Sequence, residues 1–211
     1  MVEEQQQPWS LAQTQAFFSE RAATWETKYG HDMPAYAKAV GQLPVPQGAV
    51  AIDVGCGTGR AMPALRDAVG PKGAVIGFDV TSEMLEMAVT LGRRAYGALV
   101  LGDANRLPLS SASVDVVFAA GLLGHVAQAD VVLAELARVA RPGAHLALFH
   151  PVSRAALATR RGRTLSPDDL LAQPVLRGVL DRTGWRLETY DDAEDRFFAA
   201  AQRREEYAGG R

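Results

Sequence analysis

The residues best placed to do chemistry in this chain are three aspartates, each closing a short apolar run: Asp53 in AIDV, Asp79 in AVIGFD and Asp103 in ALVLGD. Between the first two stands Gly55-Cys56-Gly57-Thr58-Gly59. Glycines lack a Cβ, so their backbone can approach a ligand closely. A helix that starts just after them turns its unpaired N–H groups towards that ligand. Asp79 follows Gly59 by 20 residues, an interval at which a carboxylate can accept hydrogen bonds from ribose hydroxyls. Three acids and a glycine loop therefore describe a site for a nucleoside-like ligand. A lone cysteine offers no thiolate-rich metal site and no internal disulfide, and no metal is expected.

Such acids converge only if a scaffold brings the strand ends to one edge. The run at 49–54 is rich in β-branched residues and reads as a buried strand. After the glycines, Ala61, Leu65, Ala68 and Val69 share a helical face, and Pro63 is tolerated close to the helix start. AVIGFD is a second strand, followed by a helix capped by Thr81 or Ser82, carrying Met84, Leu85, Ala88 and Leu91 and ending at Gly92. Strands at 98–101 and 113–120 follow, then a loop at 121–126. Asp130 is expected to cap the next helix, which Pro142-Gly143 ends, and AHLALFH is a fifth strand. The basic stretch 151–165 lacks periodicity and reads as a lid loop. Ser166-Pro167-Asp168-Asp169 predicts a helix start, with a kink at Pro174 and an end at Gly184. Two last strands, 185–190 and 196–202, joined by the acidic turn 191–194, form an antiparallel hairpin.

Ahead of the sheet, residues 1–8 read as a loose tail. Phe18, Ala22, Trp25 and Tyr29 recur at helical spacing from Leu11 onward, and a second short helix carries Tyr36, Ala39 and Val40. This aromatic stripe reads as packing, with Tyr29 the residue to watch because it closes a helix just before Gly30-His31-Asp32. The whole is an α/β chain: one domain over 1–211, with a helical cap at 1–45 and a doubly wound, seven-stranded, mostly parallel core at 46–205.

Bulk properties narrow the partners. A formal net charge of −2 gives no general attraction to nucleic acid or an anionic membrane surface. Hydrophobic residues make up 48% of the chain, yet no segment is apolar for long enough to span a bilayer. The start, MVEEQQQPWS, is polar and acidic, unlike a signal peptide, and a cytoplasmic protein is expected, as a monomer or a homodimer.

A dinucleotide such as NAD is the first candidate ligand, but its fingerprint needs G-x-G-x-x-G. From Gly55 and Gly57 the third place falls on Arg60; from Gly57 and Gly59 it falls on Met62. The pattern present is D-x-G-x-G-x-G. With VIGFDVTSEML, GDANRLPL, VDVVFAAGLLGH and ARVARPGAHLALF, it resembles class I S-adenosylmethionine-dependent methyltransferases over about residues 49–202. Within them it is most similar to the small-molecule group that includes quinone-biosynthesis enzymes.

The resemblance implies a Rossmann-like fold, S-adenosylmethionine as donor, S-adenosylhomocysteine as product and a small-molecule acceptor. It also assigns roles. Asp53 and the loop Gly55, Cys56, Gly57 and Gly59 would hold the methionine part, and Asp79 the ribose. Val80 would pack on adenine, Asp103 would accept from its exocyclic amine, and Ala104 would add backbone contact. Ala120 and Gly121 would line the methionine end, and Tyr29 joins the cofactor-binding set. Cys56 enters through its place in the loop, since its thiol reads as packed. His125, after the fourth strand, is the candidate catalytic residue: it can act as general base or orient a substrate hydroxyl, and a purely structural role stands beside these. His150 has a smaller claim. Arg154, Arg160, Arg161 and Arg163 form either a site for an acidic acceptor or a solvated loop. Two other functions remain as alternatives: a non-catalytic donor- or partner-binding module, and an NAD-dependent oxidoreductase. A nucleic-acid methyltransferase lacks support, because Ala120-Gly121-Leu122-Leu123 stands where an Asn/Asp-Pro-Pro-aromatic tetrad would be.

Overall fold

The computed structural model describes residues 9–160 and 162–205; the tail read at 1–8 and Arg161 lie outside the described residues. Seven strands, β1 (Val50–Val54), β2 (Ala74–Asp79), β3 (Ala98–Leu101), β4 (Val114–Ala120), β5 (Ala140–His150), β6 (Trp185–Ala193) and β7 (Arg196–Arg203), form one sheet. Their order is β3-β2-β1-β4-β5-β7-β6. β1 to β5 run parallel, while β7 is antiparallel to both β5 and β6. The expected Rossmann-like sheet with an antiparallel C-terminal hairpin is the fold that forms. Strand order reverses beside β1, where β2 lies on one side and β4 on the other, and a crevice opens at such a switch point.

Helices cover both faces, so the central strands are apolar throughout. Ile52 and Val54 point to the face covered by α6 (Ala129–Val139) and α8 (Gln173–Arg182), where Leu133, Leu136, Leu146, Leu176 and Trp185 are buried. Trp185 also donates its indole N–H to the Leu133 carbonyl at 2.9 Å. Ala51 points to the opposite face, among Tyr36, Met62, Leu65, Phe118 and Phe149 from α3 (Met33–Val40), α4 (Met62–Val69), β4 and β5. Side chains alternate along a strand, so Asp53 shares the Ala51 face and lies beneath the N-terminal helices. The loop after β3 is tied down from α6: the Leu107 N–H donates to Glu135 Oε1 at 2.7 Å, and Arg138 donates to the Leu109 carbonyl at 2.9 Å. No helix among the described residues is long and apolar enough to cross a membrane.

Several boundaries differ from expectation. The long N-terminal helix breaks into α1 (Leu11–Ser19), a short 3-10 turn and α2 (Trp25–Tyr29). A straight helix would hold Phe18 and Trp25 about 10 Å apart along its axis; the break brings their ring centroids to 5.5 Å. Inside the expected lid loop, Arg154–Arg160 forms α7, whose first turn is capped by the Ser153 hydroxyl accepting from the Ala156 N–H at 3.1 Å. Ser166-Pro167-Asp168-Asp169 starts no helix. The Ser166 hydroxyl accepts from the Asp168 N–H at 3.2 Å, a local turn that competes with helix formation. α8 begins at Gln173 instead, so Pro174 opens the helix rather than kinking it. Gln128, not Asp130, holds the N-cap position of α6, and Asp130 lies in the first turn. Residues 191–193 belong to β6, which shortens the hairpin turn to Glu194-Asp195.

Candidate functional site

Past Val54 the chain turns through Gly55, Gly57 and Gly59 at φ of 70°, 53° and 77°, left-handed angles that glycine adopts without strain. The loop is fastened across to β2. The N–H groups of Gly55 and Cys56 both donate to the Phe78 carbonyl, at 2.8 and 2.9 Å. The Gly57 N–H donates to Asp79 Oδ2 at 2.7 Å, and Asp79 Oδ1 accepts from the Thr81 N–H at 2.9 Å. Asp79 therefore braces the loop and the start of α5 (Ser82–Thr90) together. Each carboxylate oxygen accepts one of these hydrogen bonds and has a second lone pair in reserve. Beside Gly57 a Cβ would meet only Met84 Sδ, at 4.0 Å, so the absence of a side chain keeps that space open. Gly77, which the motif reading passed over, is required too: a Cβ there would stand 2.9 Å from Cys56 Sγ.

Asp53 is 2% exposed, and burial, with the Asp79 charge adding to it, pushes its carboxyl up to about 8 while Arg60 opposes the shift. Burial also raises Asp79, partly offset by the Thr81 and Gly57 N–H groups. The Cys56 thiol is pushed well above its ordinary value by burial, so it is an inert packed group, as expected. Arg60 is the residue that motif reasoning missed. It is 8% exposed and donates to the Tyr29 carbonyl at 3.1 Å and to Asp32 Oδ2 at 3.4 Å. Its Nε lies 3.8 Å from Glu26 Oε1, and its guanidinium stands 4.8 Å from the centre of the Tyr36 ring. Glu26 in turn accepts from the Thr58 hydroxyl. In the sequence, only an arginine placed where a dinucleotide loop wants glycine hinted at this.

The other candidate residues fall as follows. Asp53, Asp79 and Ala120 lie at or next to the C-terminal ends of β1, β2 and β4, with Val80, Asp103, Ala104 and Gly121 one to three residues past strand ends. Asp103 Oδ1 accepts from both the backbone N–H and side-chain amide of Asn105, at 2.9 and 2.7 Å. The Val80 carbonyl accepts from Gln15 Nε2 at 3.0 Å, so α1 reaches over the end of β2. Gly121 takes φ of 68° and donates its N–H to the Phe149 carbonyl at 2.9 Å. Tyr29 enters through its carbonyl on Arg60, while its ring packs 4.7 Å from Trp25. His125 ends a 3-10 turn, Leu122–His125, and its ring lies 5.0, 5.1 and 6.0 Å from those of Phe18, Trp9 and Phe17.

A second space adjoins the first: a cavity of about 220 Å³ beyond β4 and β5, lined by Gly121, Leu122, His150 and Arg154 among others. Leu122 is the shared wall, because it also stands against the glycine loop, 3.1 Å from where a Gly55 Cβ would be.

Residues 52–148 match the family model described as a methyltransferase domain. The match covers just under half of this chain, and that segment is similar to a methyltransferase domain. It is 40% identical over 105 residues to a demethylmenaquinone methyltransferase of Shouchella clausii, a stretch that is 48% of this chain and 45% of that protein. It is 37% identical over 118 residues to the 27-O-demethylrifamycin SV methyltransferase of Amycolatopsis mediterranei, covering 53% of this chain and 42% of that one. The matching segment thus spans less than half the length of these relatives. A SAM-dependent methyltransferase from Aquifex aeolicus shares the fold, with a TM-score of 0.71 at 23% identity over 87% of this chain and 97% of that one. Among the described residues, no three His, Cys, Asp or Glu side chains are grouped to hold a metal ion.

Proposed function

We propose that this chain transfers a methyl group from S-adenosylmethionine to a small-molecule acceptor by in-line displacement, releasing S-adenosylhomocysteine. The observation that carries the reading is Asp79, which fastens the glycine loop with one set of lone pairs and offers the rest to a neighbouring diol. A nucleoside needs that arrangement, and the similarity to a methyltransferase domain supplies its context. When bound, S-adenosylmethionine supplies a methyl group on a sulfonium, already activated for attack.

The chain's own residues bind and orient. Asp79 receives the ribose hydroxyls; Val80 and Ala104 flank adenine, and Asp103 accepts from its amine. The open space beside Gly57 admits the methionine part, with Ala120 and Gly121 at its far end. Asp53, protonated near neutrality, returns to a carboxylate when an ammonium group comes close. Holding the acceptor in line is worth up to roughly 7–11 kcal/mol, which makes positioning the main source of rate. The aromatic packing around His125 supports its structural role, fixing α1 to the turn after β4, over a role as general base. A cytoplasmic setting suits a single buried cysteine. The names of the relatives, a demethylmenaquinone and a 27-O-demethylrifamycin SV methyltransferase, support a small-molecule acceptor.

Calorimetric titration tests this. Micromolar binding of S-adenosylmethionine and S-adenosylhomocysteine, with no heat from NAD, is the expected result. Binding of NAD alone would overturn it. Methyl transfer to a panel of phenols then separates an enzyme from a binding module.

A further inference from the structure

The arginines after β5 do not act as one basic cluster. Arg160 and Arg163 are exposed, whereas the Arg154 side chain is 13% exposed and lines the cavity beyond β4 and β5. Its guanidinium lies 3.4 Å from Asp192 Oδ2 and 4.0 Å from Asp169 Oδ2, and it donates to the Tyr190 hydroxyl at 3.2 Å. Its backbone N–H donates to Asp192 Oδ1 at 3.0 Å, so Asp192 holds the residue at both ends. The Tyr190 hydroxyl in turn donates to the Leu171 carbonyl at 2.9 Å. One arginine therefore joins three segments: α7, the stretch leading into α8, and β6 at the edge of the sheet.

These ties matter because apolar packing there is thin. Ala158 is the single residue that α7 buries. Leu157, Leu165 and Leu171 line the cavity instead, as its outer wall, opposite the ends of β4 and β5. Polar links to β6 thus set how far that wall stands from the sheet. The same links balance charge. Arg154 and Arg163 stand against Asp169 and Asp192, two charges of each sign. A carboxylate entering this space would lose its water and meet no net positive charge, which is costly. An uncharged ring meets no such cost. An apolar cavity of about 150 Å³ takes benzene, and this one is about 220 Å³.

We propose that Arg154 is the specificity-determining residue of this cavity. It clasps the outer wall to β6, and with its charge balanced by Asp169 and Asp192 the cavity takes an uncharged, ring-sized molecule and rejects a carboxylate. That this molecule is the methyl acceptor rests on the methyl-transfer reading above; the charge preference does not. Gly121 and Leu122 border both the cavity and the donor crevice, which places a molecule held here next to the donor.

The test uses 1-naphthylmethanol and 1-naphthoate, which share a ring system and differ in charge, titrated at pH 8, where an ordinary imidazole is neutral. The wild type is expected to bind the alcohol and to bind naphthoate at least about tenfold more weakly. Asparagine keeps the shape of aspartate and an acceptor oxygen, so the double variant Asp169→Asn, Asp192→Asn retains the clasp and unmasks the guanidinium. It should bind naphthoate about tenfold more tightly than the wild type does and the alcohol equally well, a gain that a purely structural arginine would not give. Arg154→Met should weaken the alcohol about tenfold and speed hydrogen exchange over residues 154–160. A cooperative thermal transition shows that each variant is folded, and the double variant decides alone should Arg154→Met not fold. Tighter binding of naphthoate by the wild type, or no binding of the alcohol, would overturn the ligand class. Naphthoate affinity unchanged in the double variant, or alcohol affinity unchanged in Arg154→Met, would remove Arg154 from its role. S-adenosylhomocysteine is titrated separately; its failure to bind would bring down the donor reading and leave the charge preference of the cavity to stand or fall on the naphthyl titrations.

Discussion

Asp79 does two jobs with one carboxylate, and the two can be separated experimentally. Asp79→Ala leaves the Gly57 and Thr81 N–H groups without their acceptor, so it should cost about 1–3 kcal/mol of stability by thermal unfolding. It should also weaken S-adenosylhomocysteine by roughly 10- to 100-fold, the worth of hydrogen bonds to a charged group. An unchanged affinity would remove Asp79 from the ribose site. Asp53 makes a different prediction. Its carboxyl rises from 3.8 to about 8 in the folded protein, so the folded state retains a proton that the unfolded chain releases. Stability from this group is therefore full below about pH 3.8 and falls as pH rises towards 8. Asp53→Asn should flatten the Tm-against-pH curve between these limits, as measured by calorimetry at several pH values. A curve as steep as the wild type's would mean that Asp53 stays ionised.

Among the elements, α3 packs Tyr36, Ala39 and Val40 into the core, whereas the segment around α2 is also held by charge. Arg60 reaches Glu26, the Tyr29 carbonyl and Asp32 from beneath, and Glu26 also holds Thr58 in the glycine loop. Arg60→Met removes the guanidinium and leaves two carboxylates facing a buried site. Hydrogen exchange over residues 11–32 should speed up while the sheet stays protected; uniform protection would show that apolar packing alone holds this part of the cap. The loop itself tolerates little. Gly59 sits at φ of 77°, and a Cβ would come 3.0 Å from Arg93 Cγ. Gly59→Ala should cost about 1–2 kcal/mol from the left-handed backbone alone, read as a lowered Tm with weaker donor binding.

At the scale of the whole molecule, the crevice lies between strand ends that belong to one cooperative sheet, so a ligand there stabilises everything. S-adenosylhomocysteine at a hundred times its Kd should add about 2.7 kcal/mol. For a chain of this size that is a rise in Tm of roughly 5–11 °C; NAD at the same concentration should add nothing. A rise with NAD would place the wrong nucleotide in the crevice. The hairpin side of the sheet should be indifferent to ligand but sensitive to packing. Trp185 is wholly buried, and Trp185→Ala should cost about 3–5 kcal/mol with donor affinity preserved.

The sequence by itself determined the parallel core and the three acids at its edge. Those features are local: a β-branched run, a glycine at a turn and an aspartate closing a strand each carry their meaning within ten residues. Once β1 to β4 are parallel, Asp53, Asp79 and Asp103 must share an edge. Local signals also misled where two elements compete for the same residues. Ser166 and Asp169 suit a helix start, yet they close a turn, while Ser153 caps a helix inside a stretch that showed no periodicity. Tertiary structure alone decided the rest. Arg60 gains its partners some thirty residues back in the chain, and no spacing rule links them. His125 follows β4 and His150 closes the adjacent β5, and the sequence alone favours His125. Packing turned the first into an aromatic cluster with α1 and left the second on the wall of the cavity, because which way a side chain faces is settled by the elements stacked against it.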